Sequence, residues 1–243
     1  MSIKQIKSRR TKDIRVSKGT ITHEKMAEYI MGKYKFKTLE DTKEVLYYSL
    51  RNNKYKFGGD KLIEKIAEKT ISKKKLPKLA TRNYMAEVIG HIQRNTYTSR
   101  SKLNSKPRYL NLKNGIFDIK EMELLEHTPK VFSTIRIPVN YDKEAECSAI
   151  DKFLSEIVSK EDIPLLEEIF GWCLDIESKI QRAVLFIGEG SNGKSTLLNL
   201  LRRFLGSRNC VAIPLQAFST NRFASSKLYA PITSGASGLL HHS

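Results

Sequence analysis

The amino-acid sequence predicts an α+β domain followed by the beginning of an α/β domain. Apolar residues recur with helix and strand periods in alternation over residues 21–145. A glycine-rich loop at residues 188–196 then separates a short apolar run, which predicts a buried strand over 183–187, from an amphipathic helix. The balance of charge also changes along the chain. The expected segments are a flexible basic arm (1–20), a basic α+β domain (21–145), a helical connector (146–180) and a partial α/β domain (181–243).

Caps, periodicity and turn residues predict the elements of the basic domain. The arm is polar and basic and shows no apolar period. The elements expected after it are a helix from its N-cap Thr22, a hairpin over 43–57 that turns at 51–53, a helix over 60–71 with Asp60 as candidate cap, a loop from Lys73 to Pro77, and a helix over 81–96.

The second half of the chain begins with strand signals and continues with helical ones. Residues 109–119 predict two strands joined by a turn at Asn114-Gly115. Residues 134–141 predict a further strand, which Pro138 places at a sheet edge. The helices expected next cover 151–158, 163–174 and 196–205.

Composition excludes several classes of protein. The chain has 243 residues, of which 40% are hydrophobic and 28% charged, an ordinary soluble composition. No apolar run approaches the roughly 18 residues of a membrane span, and the N-terminus lacks a signal-peptide core. Cys147, Cys173 and Cys210 are too widely spaced for a zinc motif or a disulfide framework. We therefore expect a cytoplasmic, reducing location.

Basic charge is concentrated in the first half of the chain. Residues 1–113 carry 29 Lys and Arg against 10 Asp and Glu, residues 114–180 carry 7 against 15, and residues 181–243 carry 7 against 1. Such an excess predicts a polyanion, namely a nucleic acid, as a partner, because cations that neutralise phosphates release bound counterions. A lysine-rich solvated surface is the alternative. The candidate DNA contacts are Lys73, Lys74, Lys75, Lys78, Arg82, Arg100 and Lys102.

The loop GEGSNGKST carries the clearest chemistry. It fits the pattern GxxxxGK[ST], in which glycines let successive backbone N–H groups point at phosphate oxygens. Lys194 would lie on the β- and γ-phosphates of ATP, and the Ser195 hydroxyl would bind Mg²⁺. A chance glycine turn is the alternative. The predicted nucleotide-binding residues are Gly188, Glu189, Gly190, Ser191, Asn192, Gly193, Lys194, Ser195 and Thr196.

Other polar and aromatic residues admit two interpretations. Tyr47, Tyr55, Tyr97 and Tyr109 could stack on bases, although aromatic residues in strands more often belong to a core. His91 has no second ligand at suitable spacing, so a helix-surface or core position is favoured over metal binding. The neighbouring carboxylates at 167–168 do not face each other on a helix, which favours a solvated face over acid–base catalysis.

Four segments in order resemble phage and plasmid primase-helicases. They are LNLKNGIFDI, IRIPVNYD, LLEEIFGWCL and AVLFIGEGSNGKSTLLNLLRRFLG. Over roughly residues 22–229 the chain looks like a poxvirus-primase-type N-terminal, helicase-associated domain joined to a superfamily 3 helicase, whose ATPase is AAA+-like. The resemblance implies a replication protein of a virus, plasmid or integrated element, which forms a hexameric ring and unwinds DNA with ATP.

The sequence departs from that family after the phosphate loop. The family's Walker B strand carries acidic residues, yet there is no Asp or Glu from Gly190 to Ser243. The family's arginine finger is not seen either, so the chain looks truncated or altered before Walker B. Three hypotheses stay open: an ATP-dependent DNA helicase, a DNA-binding relative that does not hydrolyse ATP, and a remnant without motor activity.

Overall fold

A computed structural model describes Ile14, residues 20–175, 183–214 and 216, and the backbone of 237–241. The described chain forms two compact units, residues 1–51 with 55–102, and residues 52–54 with 103–243. This division falls inside the span 21–145 that the sequence assigns to one domain. The two units have separate apolar clusters, one around the N-terminal helices and others in the second half of the chain.

Most of the predicted arm and the segment 221–230 lie outside the described residues. Ile14, within the arm, is buried in the core of the first unit. Among the described residues, none of the helices combines the length and apolar character that a membrane crossing requires.

Three helices build the first unit where the sequence predicts them. They are α1 (His23–Lys33), α2 (Gly59–Lys73) and α3 (Arg82–Thr96). The Thr22 hydroxyl accepts a hydrogen bond from the N–H of Lys25, and the Thr81 hydroxyl accepts one from the N–H of Tyr84. The fully buried residues on their inner faces are Met26, Ala27, Ile30, Ile63, Ala67, Val88 and Ile92. The structure therefore confirms each of the three helices that the apolar period predicts.

The cap predicted for α2 was wrong. Its N-cap is Gly58, which has φ +83°, and Asp60 lies inside the first turn. The chain enters α2 through a left-handed residue, a conformation that glycine adopts without steric cost. The Asp60 carboxylate still stabilises the helix, because anions are favoured at the positive end of the helix dipole.

A four-stranded sheet in the order β3-β2-β1-β4 accompanies these helices. Its strands are β1 (Phe36–Leu39), β2 (Val45–Ser49), β3 (Lys54–Phe57) and β4 (Tyr97–Thr98). Strand β1 runs antiparallel to β2 and parallel to β4. The hairpin predicted over residues 43–57 is confirmed. At the end of α3, the hydroxyl oxygens of Thr38 and Thr96 lie 2.8 Å apart in a hydrogen bond.

The second unit begins with an antiparallel sheet of β5 (Tyr109–Asn111), β6 (Ile116–Asp118) and β7 (Glu123–Leu125). The turn predicted at Asn114-Gly115 joins β5 to β6, and the N–H of Leu112 donates to the Gly115 carbonyl. The helices that follow are α4 (Ser148–Ile157), α5 (Ile163–Trp172) and α6 (Lys194–Leu205), close to their predicted spans.

The strand predicted over residues 134–141 does not form. This segment makes two backbone hydrogen bonds near β5, from the Ile137 N–H to the Asn111 carbonyl and from the Lys113 N–H to the Val139 carbonyl. Pro138 lies between the two bonds and has no N–H to donate. The segment is therefore irregular chain in which Ile137 is buried against Leu110 and Phe117.

Two strands of the last region pair in parallel. Strand β8 (Cys210–Pro214) pairs with β9 (Ser237–His241), with Cys210 opposite Ser237 and Pro214 opposite His241. Sequence patterning predicted no element at β9, because its residues show no apolar period.

Candidate nucleotide and nucleic-acid sites

The glycine-rich loop opens a helix, as the sequence predicts, and this helix, α6, begins at Lys194 rather than at Thr196. Gly193 caps the helix with φ +83°, and Ser191 also has a positive φ of +60°. A Cβ atom on Gly193 would lie 2.5 Å from Cγ2 of Ile157, the last residue of α4. Glycine is required at 193 for two reasons, its backbone conformation and the close approach of α4.

The Lys194 side chain folds back over the loop. Its ammonium donates to the carbonyls of Gly188 and Glu189, both at 2.7 Å, and to the amide oxygen of Asn192 at 2.6 Å. An ammonium group has three N–H donors, so these contacts use all of them. A phosphate could take the place of these acceptors without leaving the cation unpaired.

The backbone of the loop offers donors as well. Within the described part of the chain, the N–H groups of residues 189–194 have no hydrogen-bond partner. These six consecutive N–H groups, the last of which belongs to the first residue of α6, can donate hydrogen bonds to an anion. Ser195 and Thr196 follow in the first turn of α6 and are exposed. The loop thus fits a phosphate group by its donor set.

The described residues form no metal centre of their own. They contain no group of three or more His, Cys, Asp or Glu side chains that could hold a metal ion. A Mg²⁺ ion that depends on nucleotide phosphates needs few protein ligands. Ser195, the ligand predicted from sequence for such an ion, is exposed in the first turn of α6.

The buried strand predicted over residues 183–187 was wrong. These residues form no strand, and the exposed fractions of Leu185 and Ile187 are 72% and 84%. Phe186 alone packs against the apolar cluster of α4, α5 and α6. A central parallel strand is buried by its neighbours, and in the described residues β8 pairs with β9 and no strand pairs with 183–187.

The candidate DNA contacts occupy two places in the first unit. Five of them lie within ten residues, from the last turn of α2 through the 3₁₀ turn Pro77–Leu79 to the start of α3. We call residues 73–82 the basic corner. Its cations are Lys73, Lys74, Lys75, Lys78 and Arg82, and all but the half-buried Lys74 are exposed.

Arg100 differs from the basic corner because carboxylates neutralise it. Its Nε donates to Asp41 at 2.5 Å, and its Nη2 lies 3.5 Å from Glu44. These contacts lower the pKa of Asp41 and raise that of Arg100. Lys102 is exposed in the same 3₁₀ turn. Arg100 is therefore a structural cation rather than a free one.

The tyrosines divide between core and surface. Tyr55 is buried in an edge-to-face pair with Tyr48, and burial raises its pKa to about 12. Tyr47 packs against the core of the first unit, whereas Tyr97 is 42% exposed. Tyr109 is half-buried. The Lys106 ammonium lies 5.9 Å from the centre of its ring, and the Arg108 guanidinium lies 5.5 Å from it.

Sequence reasoning missed a polar cluster around the Lys113 carbonyl. Arg136 donates to this carbonyl from Nη2 and to the Asn52 carbonyl from Nη1. His127 lies 3.5 Å from the same oxygen, and burial lowers its pKa. The residues come from distant parts of the chain, so no local spacing predicted their contact.

The family of the chain follows from a comparison with known sequences. The sequence model of the family described as D5 N terminal like matches residues 12–159, more than half of the chain. The chain belongs to this family, whose model describes the N-terminal region of the phage and viral primase-helicase D5. No curated protein matches it. The matched span includes the basic corner and ends before the phosphate loop.

Proposed function

We propose that the protein is a replication protein of a virus, plasmid or integrated element, related to ATP-dependent DNA helicases. It binds ATP at residues 188–196 and DNA through its basic first unit. One observation carries this proposal: a D5-type region at 12–159 is followed, in the same chain, by a GxxxxGKS loop that opens a helix. The family match supports a role in replication, and the loop supports the binding of a nucleotide.

The loop supports nucleotide binding through its donors and its lysine. Free N–H groups at 189–194 would bind phosphate oxygens, and the Lys194 ammonium would move from the Gly188 and Glu189 carbonyls to the phosphates. When bound, ATP supplies the phosphates and Mg²⁺ neutralises part of their charge, with the Ser195 hydroxyl as a protein ligand. Binding therefore requires the lysine to leave its resting contacts.

Charge supports DNA binding by the first unit. The excess of cations over carboxylates in residues 1–113 favours a polyanion that binds mainly through its phosphates. The affinity should fall steeply with salt and depend little on base sequence. A hexameric ring around DNA, as the primase-helicase resemblance implies, is part of this proposal.

Titration with a fluorescent ATP analogue and Mg²⁺ tests the nucleotide site. Lys194→Ala should weaken binding, because a cation at the phosphates is lost, while DNA binding persists. Lys160→Ala is the matched control, since Lys160 is an exposed lysine of the second unit outside the loop. Equal affinities of wild type and Lys194→Ala would show that the loop is not a phosphate site.

As a second candidate function, residues 1–243 bind DNA and nucleotide without motor activity of their own. The observation in its favour is the lack of any Asp or Glu from Gly190 to Ser243. ATP hydrolysis needs groups that position the metal and the attacking water. A rate of phosphate release that DNA stimulates would decide for the helicase.

A further inference from the structure

Two cations of the basic corner, Lys75 and Arg82, occupy positions at which they destabilise the local structure. Lys75 follows α2 with φ +57°, in the left-handed region. Its N–H donates to the Ser72 carbonyl and the N–H of Leu76 donates to the Ile71 carbonyl, both at 3.1 Å. This pair of bonds is the Schellman motif, and glycine or asparagine is the usual residue at the left-handed position. Lysine there strains the backbone.

Arg82 is disfavoured for a different reason. It is the first residue of α3, and no acidic residue lies in the first turn of that helix. Its positive charge thus meets the positive end of the helix dipole, where carboxylates are normally preferred.

Neither cation is offset by a carboxylate. Among the described residues, Lys73, Lys75, Lys78 and Arg82 make no ion pair, and residues 69–86 contain no Asp or Glu. The corner is also firmly held, because α2 and α3 bury Ile71 and Met85 on either side of it in the core. Repulsion among fixed like charges adds to the unfavourable placement.

We propose that the basic corner is the nucleic-acid phosphate-binding surface of this protein, and that it is maintained at the expense of stability. This inference rests on the proposed DNA binding. Departures from local rules concentrate at functional positions, and two such departures by cations coincide here. A phosphate backbone neutralises both cations and relieves the conflict between Arg82 and the helix dipole, without requiring any change in the fold.

Lys43 provides a matched control within the same unit. It too is an exposed lysine with a left-handed backbone, φ +59° against +57° for Lys75. Its sequence neighbours include Asp41 and Glu44, which already carry the Arg100 ion pairs. Lys43 thus shares the strain of Lys75 but lies in an acidic setting.

The test compares stability and DNA affinity in full-length variants. Lys75→Gly should raise the melting temperature by about 2–4 °C, because glycine removes the left-handed strain. It should weaken binding of a fluorescein-labelled single-stranded oligonucleotide about two- to five-fold at low salt. The plot of log affinity against log salt should become shallower by about one. Arg82→Gln should weaken binding equally without loss of stability.

Two controls complete the design. Lys43→Gly should also raise the melting temperature yet leave DNA binding unchanged, and Lys75→Arg should bind DNA like the wild type. If the wild type binds DNA while Lys75→Gly and Arg82→Gln bind equally well, the corner is not the surface and this inference alone fails. If the wild type binds no DNA at low salt, the proposed DNA binding fails as well. A lower melting temperature of Lys75→Gly would overturn the stability argument.

Discussion

Arg108 and Asp118 form a bidentate ion pair at the open end of the β5–β6 hairpin, opposite its turn. Arg108 donates from Nε to Oδ1 at 2.6 Å and from Nη2 to Oδ2 at 2.5 Å. The Asp118 side chain is only 4% exposed, whereas that of Arg108 is 40% exposed. The N–H groups of Lys120 and Glu121 also donate to Asp118. The Arg108 hydrogen bonds hold the pKa of Asp118 below its ordinary value.

Arg108→Met should lower the melting temperature at pH 7, because it leaves the Asp118 carboxylate covered but unpaired. A carboxylate whose pKa is lower in the folded state stabilises the protein above the unfolded pKa of about 3.9. That contribution disappears as the pH falls through the folded pKa. The difference between wild type and variant should therefore be largest near pH 7 and shrink below about pH 4. Thermal unfolding followed by circular dichroism at several pH values measures it.

Arg100→Met is the control for this prediction. Its partner Asp41 is 50% exposed, so water solvates the carboxylate once the arginine is gone. The melting temperature should change less than in Arg108→Met. An equal loss in both variants, or a loss in Arg108→Met that does not depend on pH, would contradict the role given to Asp118.

The first unit could be predicted largely from sequence. Its helices combine a clear apolar period with local caps, as at Thr22 and Thr81, so neighbouring residues suffice to specify them. The hairpin turn at Asn114-Gly115 was predictable for the same reason. The cap of α2 was missed because Gly58 and Asp60 both suit a helix start, and only the backbone path decides between them.

Non-local contacts account for the rest. The apolar run at 183–187 has the composition of a buried strand, but burial depends on neighbouring strands that a local pattern does not specify. The Arg108–Asp118 pair depends on the register that places Tyr109 opposite Asp118. The alternation of residues in β5 and β6 could have indicated that register. The cations of the basic corner were predicted from sequence as DNA contacts. The left-handed conformation of Lys75 was not, because only the backbone of the folded chain shows it.

Gly193→Ala should lower the free energy of unfolding by about 1–3 kcal/mol, as measured by urea denaturation. The new methyl group would meet Ile157 at 2.5 Å, and φ +83° is strained for alanine. Ile157 is packed against α5 and α6 in an apolar cluster, so it has little freedom to move. Nucleotide binding should weaken in parallel, because the loop and the start of α6 shift together.

Gly190→Ala provides the comparison within the same loop. A Cβ atom on Gly190 would have no neighbour within 4 Å, and its φ lies outside the left-handed range. Stability should change by no more than about 0.5 kcal/mol. A large loss in Gly190→Ala, or none in Gly193→Ala, would show that the contact between α4 and the loop does not constrain residue 193.

The polypeptide of residues 1–243 should release phosphate from ATP no faster than Lys194→Ala, even with Mg²⁺ and single-stranded DNA. Efficient hydrolysis needs oxygen ligands that position the metal and a group that orients the attacking water. Residues 190–243 contain no Asp or Glu. Glu189 lies within the loop, and its carbonyl accepts a hydrogen bond from Lys194. A carboxylate from the acidic region 114–180 would have to reach the ion beside Ser195 to replace the missing groups. Phosphate release by the purified protein, with Lys194→Ala as background, is the measurement. DNA-stimulated turnover near 1 s⁻¹, roughly the low end for enzymes, that the substitution abolishes would establish a working motor instead.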